Sequence, residues 1–149
     1  MSGHFRFCPA CGAALGEARG CACGWRRRPT VGAAVVLIES GRILLGRRFD
    51  GGWCVPCGRV EWNESIEDAA RREFKEETGL DVELRGVLAV LSNFHDPADH
   101  SVGVWYEGVR TGGTLAPGDD LVEAAWHPLD RLPPLRFPTD AEAIGRLGP

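Results

Sequence analysis

The chain has 149 residues, room for one domain with a small appendage, and 44% of them are hydrophobic, which excludes a disordered composition. No apolar run approaches the roughly 20 residues that cross a bilayer, and residues 1–7 lack the charged start and apolar stretch of a secretion signal, so a cytoplasmic protein without membrane attachment is expected. The net charge of −4 is uneven: five arginines against one acid give residues 1–29 a net +4 and leave −8 on the rest, a body that suits divalent cations and makes nucleic acid an unlikely partner.

Without a secretion signal, the six cysteines point to metal binding or buried thiols rather than disulfides. Four of them stand in the first 28 residues, as Cys8-Pro-Ala-Cys11-Gly12 and Cys21-Ala-Cys23-Gly24. This looks like a zinc ribbon, in which four thiolates close a tetrahedral Zn²⁺ site and a glycine after each pair suits a tight turn. So short a segment builds little core, and a structural zinc would supply its folding energy. The second pair is CxC rather than CxxC, and unliganded thiols are the alternative. The expected division is a ribbon over residues 1–28 and a main domain over residues 30–149, with Pro29 between them.

After Pro29, Thr30 to Ile38 reads as a buried strand: small and β-branched residues in a nearly unbroken apolar run. Ser40-Gly41 is a turn, Arg42 to Arg47 a second strand, Phe49 to Gly52 a loop and Trp53 to Val60 extended. A helix is predicted from about Ser65, with Asp68 three residues on as in a capping box, to Thr78, where Gly79 stops it. Val82 to Asn93 and Val102 to Val109 read as strands, Thr111 to Asp120 as a loop, and Glu123 to His127 as a short strand. Pro128 to Pro138 is irregular and Thr139 to Leu147 is a terminal helix. Strands and helices in this order suggest an α/β or α+β sandwich.

The central helix carries the most information. At 100° per residue, Ile66, Ala69 and Ala70 fall within about 60° of Glu73, and Glu76 and Glu77 fall on the same side. One stripe therefore begins apolar and ends in three carboxylates, which repel one another and resist desolvation. Hard Mg²⁺, which prefers oxygen ligands, would compensate them; the alternative is a solvated helix end.

The surroundings of that helix resemble the complete Nudix signature: Gly58, Glu64, then Arg72-Glu73-Phe74-Lys75-Glu76-Glu77-Thr78-Gly79-Leu80. Phe74 stands where an aliphatic residue is commoner. Arg47, Trp53 and Pro56 resemble the family's lead-in, and the run Glu123–Trp126–Leu129–Leu132-Pro133 its closing strand and turn, so the likeness covers about residues 30–135. It implies a Nudix-type α/β/α sandwich with a mixed sheet and hydrolysis of a diphosphate by water, using Mg²⁺ or Mn²⁺. The implied metal ligands are Glu73, Glu76, Glu77 and the Gly58 carbonyl. Arg72 would orient the carboxylates through Glu64 or Glu76, so Glu64, Arg72, Glu76 and Glu77 form the implied catalytic set. The general base is left open among the helix carboxylates, Glu123, His95 and His100. Arg47, Trp105 and Glu123 are candidate substrate contacts, with Phe94 a further stacking candidate; a solvated or core role is the alternative for each.

Two departures stand out. The family usually has Pro-Gly-Gly where this chain has Pro56-Cys57-Gly58, and a cysteine there would be strained if the position needs φ > 0. Cys54 and Cys57 form a CxxC, read here as two ordinary strand thiols in preference to a redox or metal pair. A ribbon before such a domain is similar to the NADH pyrophosphatase group, but that group's SQPWPFPxS array is missing. The expected substrate is a nucleoside diphosphate linked to another group, such as ADP-ribose or a dinucleotide. House-cleaning of nucleoside triphosphates and a nucleotide-sensing module are the rivals. A homodimer is open, since dimers are common in the family.

Overall fold

The computed structural model describes residues 6–16 and 19–148; the first five residues of the expected ribbon, with Glu17, Ala18 and Pro149, lie outside the described residues. Phe7 bridges Ala14 and Gly20 bridges Arg26, each antiparallel, so each cysteine pair sits in its own tight turn. Gly12 N donates to Cys8 O at 2.8 Å and Gly24 N to Cys21 O at 2.9 Å. Both glycines have positive φ, 74° and 94°, a conformation that a side chain would strain.

The elements that follow are β1 (Thr30–Glu39), β2 (Arg42–Arg48), β3 (Trp53–Cys54), β4 (Cys57–Arg59), α1 (Ile66–Thr78), β5 (Leu80–Asn93), β6 (Ser101–Gly113), β7 (Leu121–Pro128) and α2 (Pro138–Ile144). The stretch expected to be extended at 53–60 is two short strands broken at Val55-Pro56, where proline has no N–H for a ladder. β6 continues through Gly113 into the expected loop, and α2 stops at Ile144, short of Leu147.

The sheet runs β3-β2-β1-β6-β5, with β4 also on β1 and β7 also on β2. β1 and β6 are parallel and the other pairs antiparallel, so the sheet is mixed. A helix covers each face. In β1, Ala33, Val35 and Leu37 pack with Ala69, Ala70 and Phe74 of α1. The alternate residues Ala34, Val36 and Ile38 pack with Ala143 and Ile144 of α2. A strand covered on both faces needs apolar side chains at every position, which accounts for the unbroken run in the sequence. The fold is an α/β/α sandwich. No helix among the described residues is long and apolar enough to cross a membrane.

α1 starts on Ser65, whose Oγ accepts from Asp68 N at 3.1 Å, and ends on Gly79 in the left-handed conformation. The loop after β6 then docks on the end of α1. Ala116 N donates to Thr78 O at 2.8 Å and Gly118 N to Glu77 O at 3.1 Å, satisfying last-turn carbonyls that the helix cannot pair itself.

Candidate active site

The apolar stripe of α1 draws Glu73 and Glu77 inward with it. Glu77 follows Phe74 and is 1% exposed; Glu73 is 9% exposed. Glu76 lies round the helix toward Arg72 and stays exposed. Opposite the buried pair, β4 holds Gly58 against the helix. A Cβ on Gly58 would lie 1.9 Å from Glu73 Cδ, so the close approach depends on glycine. Cys57 N donates to Glu77 Oε2 at 2.8 Å. Asp119 arrives on the docked loop with φ of 51°, and one oxygen each of Glu73, Glu77 and Asp119 lie within 4.8 Å of one another.

Arg72 is the organiser of the rim. Its Nε and Nη2 reach the two oxygens of Glu64 at 2.6 and 2.9 Å, and Nη1 reaches Glu73 Oε1 at 2.7 Å and Glu76 Oε2 at 3.4 Å. Nη2 also donates to Arg59 O at 3.0 Å, tying the helix to β4. Such a two-pronged guanidinium–carboxylate pair fixes both partners in orientation. The Arg72 hydrogen bonds, helped by the Glu61 N–H, hold the Glu64 carboxyl down at about 2.

No ion pair to Glu77 occurs among the described residues. Burial pushes its carboxyl up from the ordinary 4.5 to about 8, the Cys57 N–H and the charge of Arg48 pull it part of the way back, and Glu73 adds to the rise. Burial raises Glu73 as well, against the pull of Arg72. The sign for stability follows. A carboxyl with a folded pKa above its unfolded value holds its proton more tightly in the fold. Its contribution is full below the unfolded value of 4.5 and is lost as the pH rises to about 8. Asp140, raised by burial to about 6, acts in the same direction, while Glu64 stays ionised across this window and adds no slope. Urea titrations in magnesium- and manganese-free buffer should therefore show the protein weakening between about pH 5 and pH 8, and added Mn²⁺ should reverse the trend. A level profile with no response to Mn²⁺ would refute this.

The carboxylates open on a cleft of about 570 Å³ whose walls include Arg48, Arg59, Trp105, Phe137 and Thr139. Among the described residues, Arg48 Nε and Thr139 Oγ1 are buried without a hydrogen-bond partner. The structure thus distributes the sequence candidates unevenly. Arg47 and Glu123 face each other across β2 and β7 and bond at 2.8 Å; the pairing shifts register just after Arg47, and Arg48 lines the cleft instead. Trp105 is a core residue and also lines the cleft, with Nε1 donating to Asp140 Oδ1 at 2.9 Å. His95 lines the cleft against Phe137 at 4.9 Å, whereas His100 rests on the exposed Phe94. Asp119 was not singled out from the sequence, where only an acidic pair in a Gly/Pro-rich loop marks it.

Cys57 does not have positive φ, so the cysteine is unstrained and the expected cost of replacing glycine does not arise. Cys54 is buried in β3, and burial pushes its thiol up to about 12; the Cys57 thiol is raised for the same reason. Both are free thiols, and neither is activated as a nucleophile.

Two carboxylates buried on one helix thus meet a third supplied by a loop, with a glycine cradle opposite and arginines across a cleft. The sequence matches the NUDIX domain over residues 26–147. The chain belongs to the NUDIX family. It is therefore an enzyme that acts on phosphorus-containing anhydrides. It is similar to an ADP-ribose pyrophosphatase of Methanocaldococcus jannaschii, 37% identical over 114 residues, 73% of this chain and 68% of that protein. It is also similar to the NAD-capped RNA hydrolase NudC of Pseudomonas aeruginosa, 33% identical over 144 residues, 89% of this chain. The chain spans about half the length of that NudC relative, 51%. Among solved structures it resembles a MutT NUDIX hydrolase from Burkholderia pseudomallei, with a TM-score of 0.75, 29% identity and coverage of 82% of this chain and 100% of that one.

At the amino end, the four sulfurs of Cys8, Cys11, Cys21 and Cys23 lie within 4.8 Å of one another, with Cys8–Cys23 and Cys11–Cys21 both at 3.5 Å. A tetrahedron with Zn–S bonds of 2.3 Å has edges of about 3.8 Å, so the spacing fits a zinc ion. Burial raises the Cys8 thiol, but the N–H groups of Ala10 and Cys11 outweigh it and bring it down to about 7, while, against the pull of the Ala13 and Trp25 N–H groups, the neighbouring sulfurs push Cys11 up to about 12 and raise Cys23.

Proposed function

We propose that the chain cleaves the pyrophosphate bond of a nucleoside diphosphate carrying a second group, with ADP-ribose or a dinucleotide as substrate. The observation that carries this reading is Glu77: a carboxylate 1% exposed, in no ion pair among the described residues, beside Glu73 and Asp119 at the end of an open cleft. Negative oxygens so placed raise one another's cost, and a divalent cation removes that cost directly. Mg²⁺ or Mn²⁺ would be held by Glu73, Glu77 and Asp119, with the Gly58 carbonyl and Glu76 at the margin. There it would stabilise charge on the transferring phosphoryl oxygens.

The residues of the chain divide the remaining work. Arg72 keeps Glu73 oriented and Glu64 clamps Arg72, so Glu64 acts on the chemistry only through them. Arg48 and Arg59 offer cationic groups to the diphosphate from the wall of the cleft. Phe137, His95 and Trp105 offer flat faces for the rest of a nucleotide, and Thr139 Oγ1 offers a buried hydrogen bond with no competing partner. The identity to an ADP-ribose pyrophosphatase supports this substrate class.

The test is a panel of ADP-ribose, NADH, dinucleoside polyphosphates and deoxynucleoside triphosphates, with Mg²⁺ or Mn²⁺. ADP-ribose or a dinucleotide should have the highest kcat/KM. Turnover confined to triphosphates would replace the proposed substrate class, and binding without turnover would return the chain to a sensing role.

The reading of residues 1–28 as a separate zinc ribbon is part of the proposal. Purified protein should hold one zinc per chain, and Cys8→Ser should lose it and expose the segment to proteases while α1 and the sheet stay folded. Protein free of zinc with the segment still protected would remove the ribbon.

A further inference from the structure

Glu77 is not the only acid taken into the interior. Asp140, on the first turn of α2, is 1% exposed. Its Oδ2 accepts from Val55 N at 2.9 Å and its Oδ1 from Trp105 Nε1 at 2.9 Å. Two N–H donors thus converge on both oxygens, and an asparagine could satisfy only one of them, because its amide nitrogen would face the other donor. No ion pair to Asp140 occurs among the described residues. Burial accordingly raises its carboxyl, although both hydrogen bonds oppose the shift. Anchoring α2 alone would not require a charge in that position.

What the charge holds is the strap that leaves β3 and enters β4. Four consecutive residues, 55–58, are each fixed. Val55 N is on Asp140, and Pro56 O accepts from Val35 N of β1 at 3.2 Å. Cys57 N is on Glu77, and Gly58 lies against Glu73. The same carboxylate grips Trp105, and both side chains line the cleft.

We propose that Asp140 is a positioning residue for the metal-binding carboxylates: by holding Val55 it sets the 55–58 strap at the height where the Cys57 N–H meets Glu77 and Gly58 cradles Glu73. The proposal rests on the reading of Glu73 and Glu77 as metal ligands. A merely structural Asp140 would lower stability on substitution and leave the intrinsic metal affinity of the folded protein alone.

The experiment titrates Mn²⁺ into the full chain and follows the free ion by electron paramagnetic resonance, for the parent, Asp140→Leu and Trp105→Phe. Asp140→Leu, which has no acceptor for Val55 N, should weaken Mn²⁺ binding by about tenfold, the lower end of what loss of an outer supporting group costs a metal site. Trp105→Phe, which keeps the Val55 bond, should hold the parent's Mn²⁺ affinity while raising KM. Parent-like Mn²⁺ affinity in folded Asp140→Leu overturns the proposal, as does equal weakening in Trp105→Phe. A parent that binds no Mn²⁺ overturns the metal reading itself. Amide exchange in the parent covers an Asp140→Leu that fails to fold. Added Mg²⁺ should slow exchange at Val55 and Cys57 together; slowing at Cys57 alone overturns the proposal.

Discussion

Glu77→Gln should lower kcat by about 10²–10³-fold, the scale seen when a group that stabilises transition-state charge is removed from a dry site. The amide is nearly isosteric, and its oxygen can still accept from Cys57 N, now 2.8 Å from Oε2, so the fold should be kept. The same substitution removes a carboxylate that burial raises to about 8. Without metal at about pH 8, the variant should therefore be more stable than the parent, while its activity is nearly gone. That opposite movement separates a functional carboxylate from a structural one: a residue kept for packing would lose stability on substitution. Urea denaturation and steady-state assays on the same preparation decide it. A variant that is active, or less stable than the parent at that pH, would contradict the account.

Gly58→Ala should be nearly as severe. A methyl group there would lie 1.9 Å from Glu73 Cδ and 2.2 Å from Oε2, so the carboxylate or β4 must move. Overpacking of this kind costs about 1–3 kcal/mol of stability. Displacement of a ligand's support should weaken Mn²⁺ binding by about 10–100-fold. Cys57→Gly is the informative control. The Cys57 backbone has no positive φ, so restoring the family's usual residue should leave activity close to the parent's. If Gly58→Ala kept full Mn²⁺ affinity, the cradle would not be part of the site.

What the sequence disclosed depended on how local each cause is. The helix was legible from Ser65 to Gly79 because its caps and its apolar stripe lie within one segment. Glu73 and Glu77 share one side because spacing on a helix fixes direction, and Glu64, just ahead of the helix, meets Arg72 beside Glu73. The two sheet faces of β1 were legible as an unbroken apolar run, although not which helix covers which face. Asp119 was not legible: it reaches the carboxylates only because Ala116 and Gly118 dock on the carbonyls of Thr78 and Glu77, a contact between distant segments. The sequence offered Arg47, whereas Arg48 lines the cleft, for a related reason. The pairing of β2 with β7 shifts register between these two arginines, and that contact with a distant strand decides which one meets Glu123. Asp140 gave no sign in the sequence, since its two donors come from β6 and from the bend after β3.

The most direct measurement is diffraction from crystals grown with Mn²⁺, using its anomalous signal. The account predicts an ion about 2.1 Å from carboxylate oxygens of Glu73 and Glu77, completed by Asp119 or the Gly58 carbonyl. Crystals saturated with Mn²⁺ in which these side chains bind no ion would contradict it.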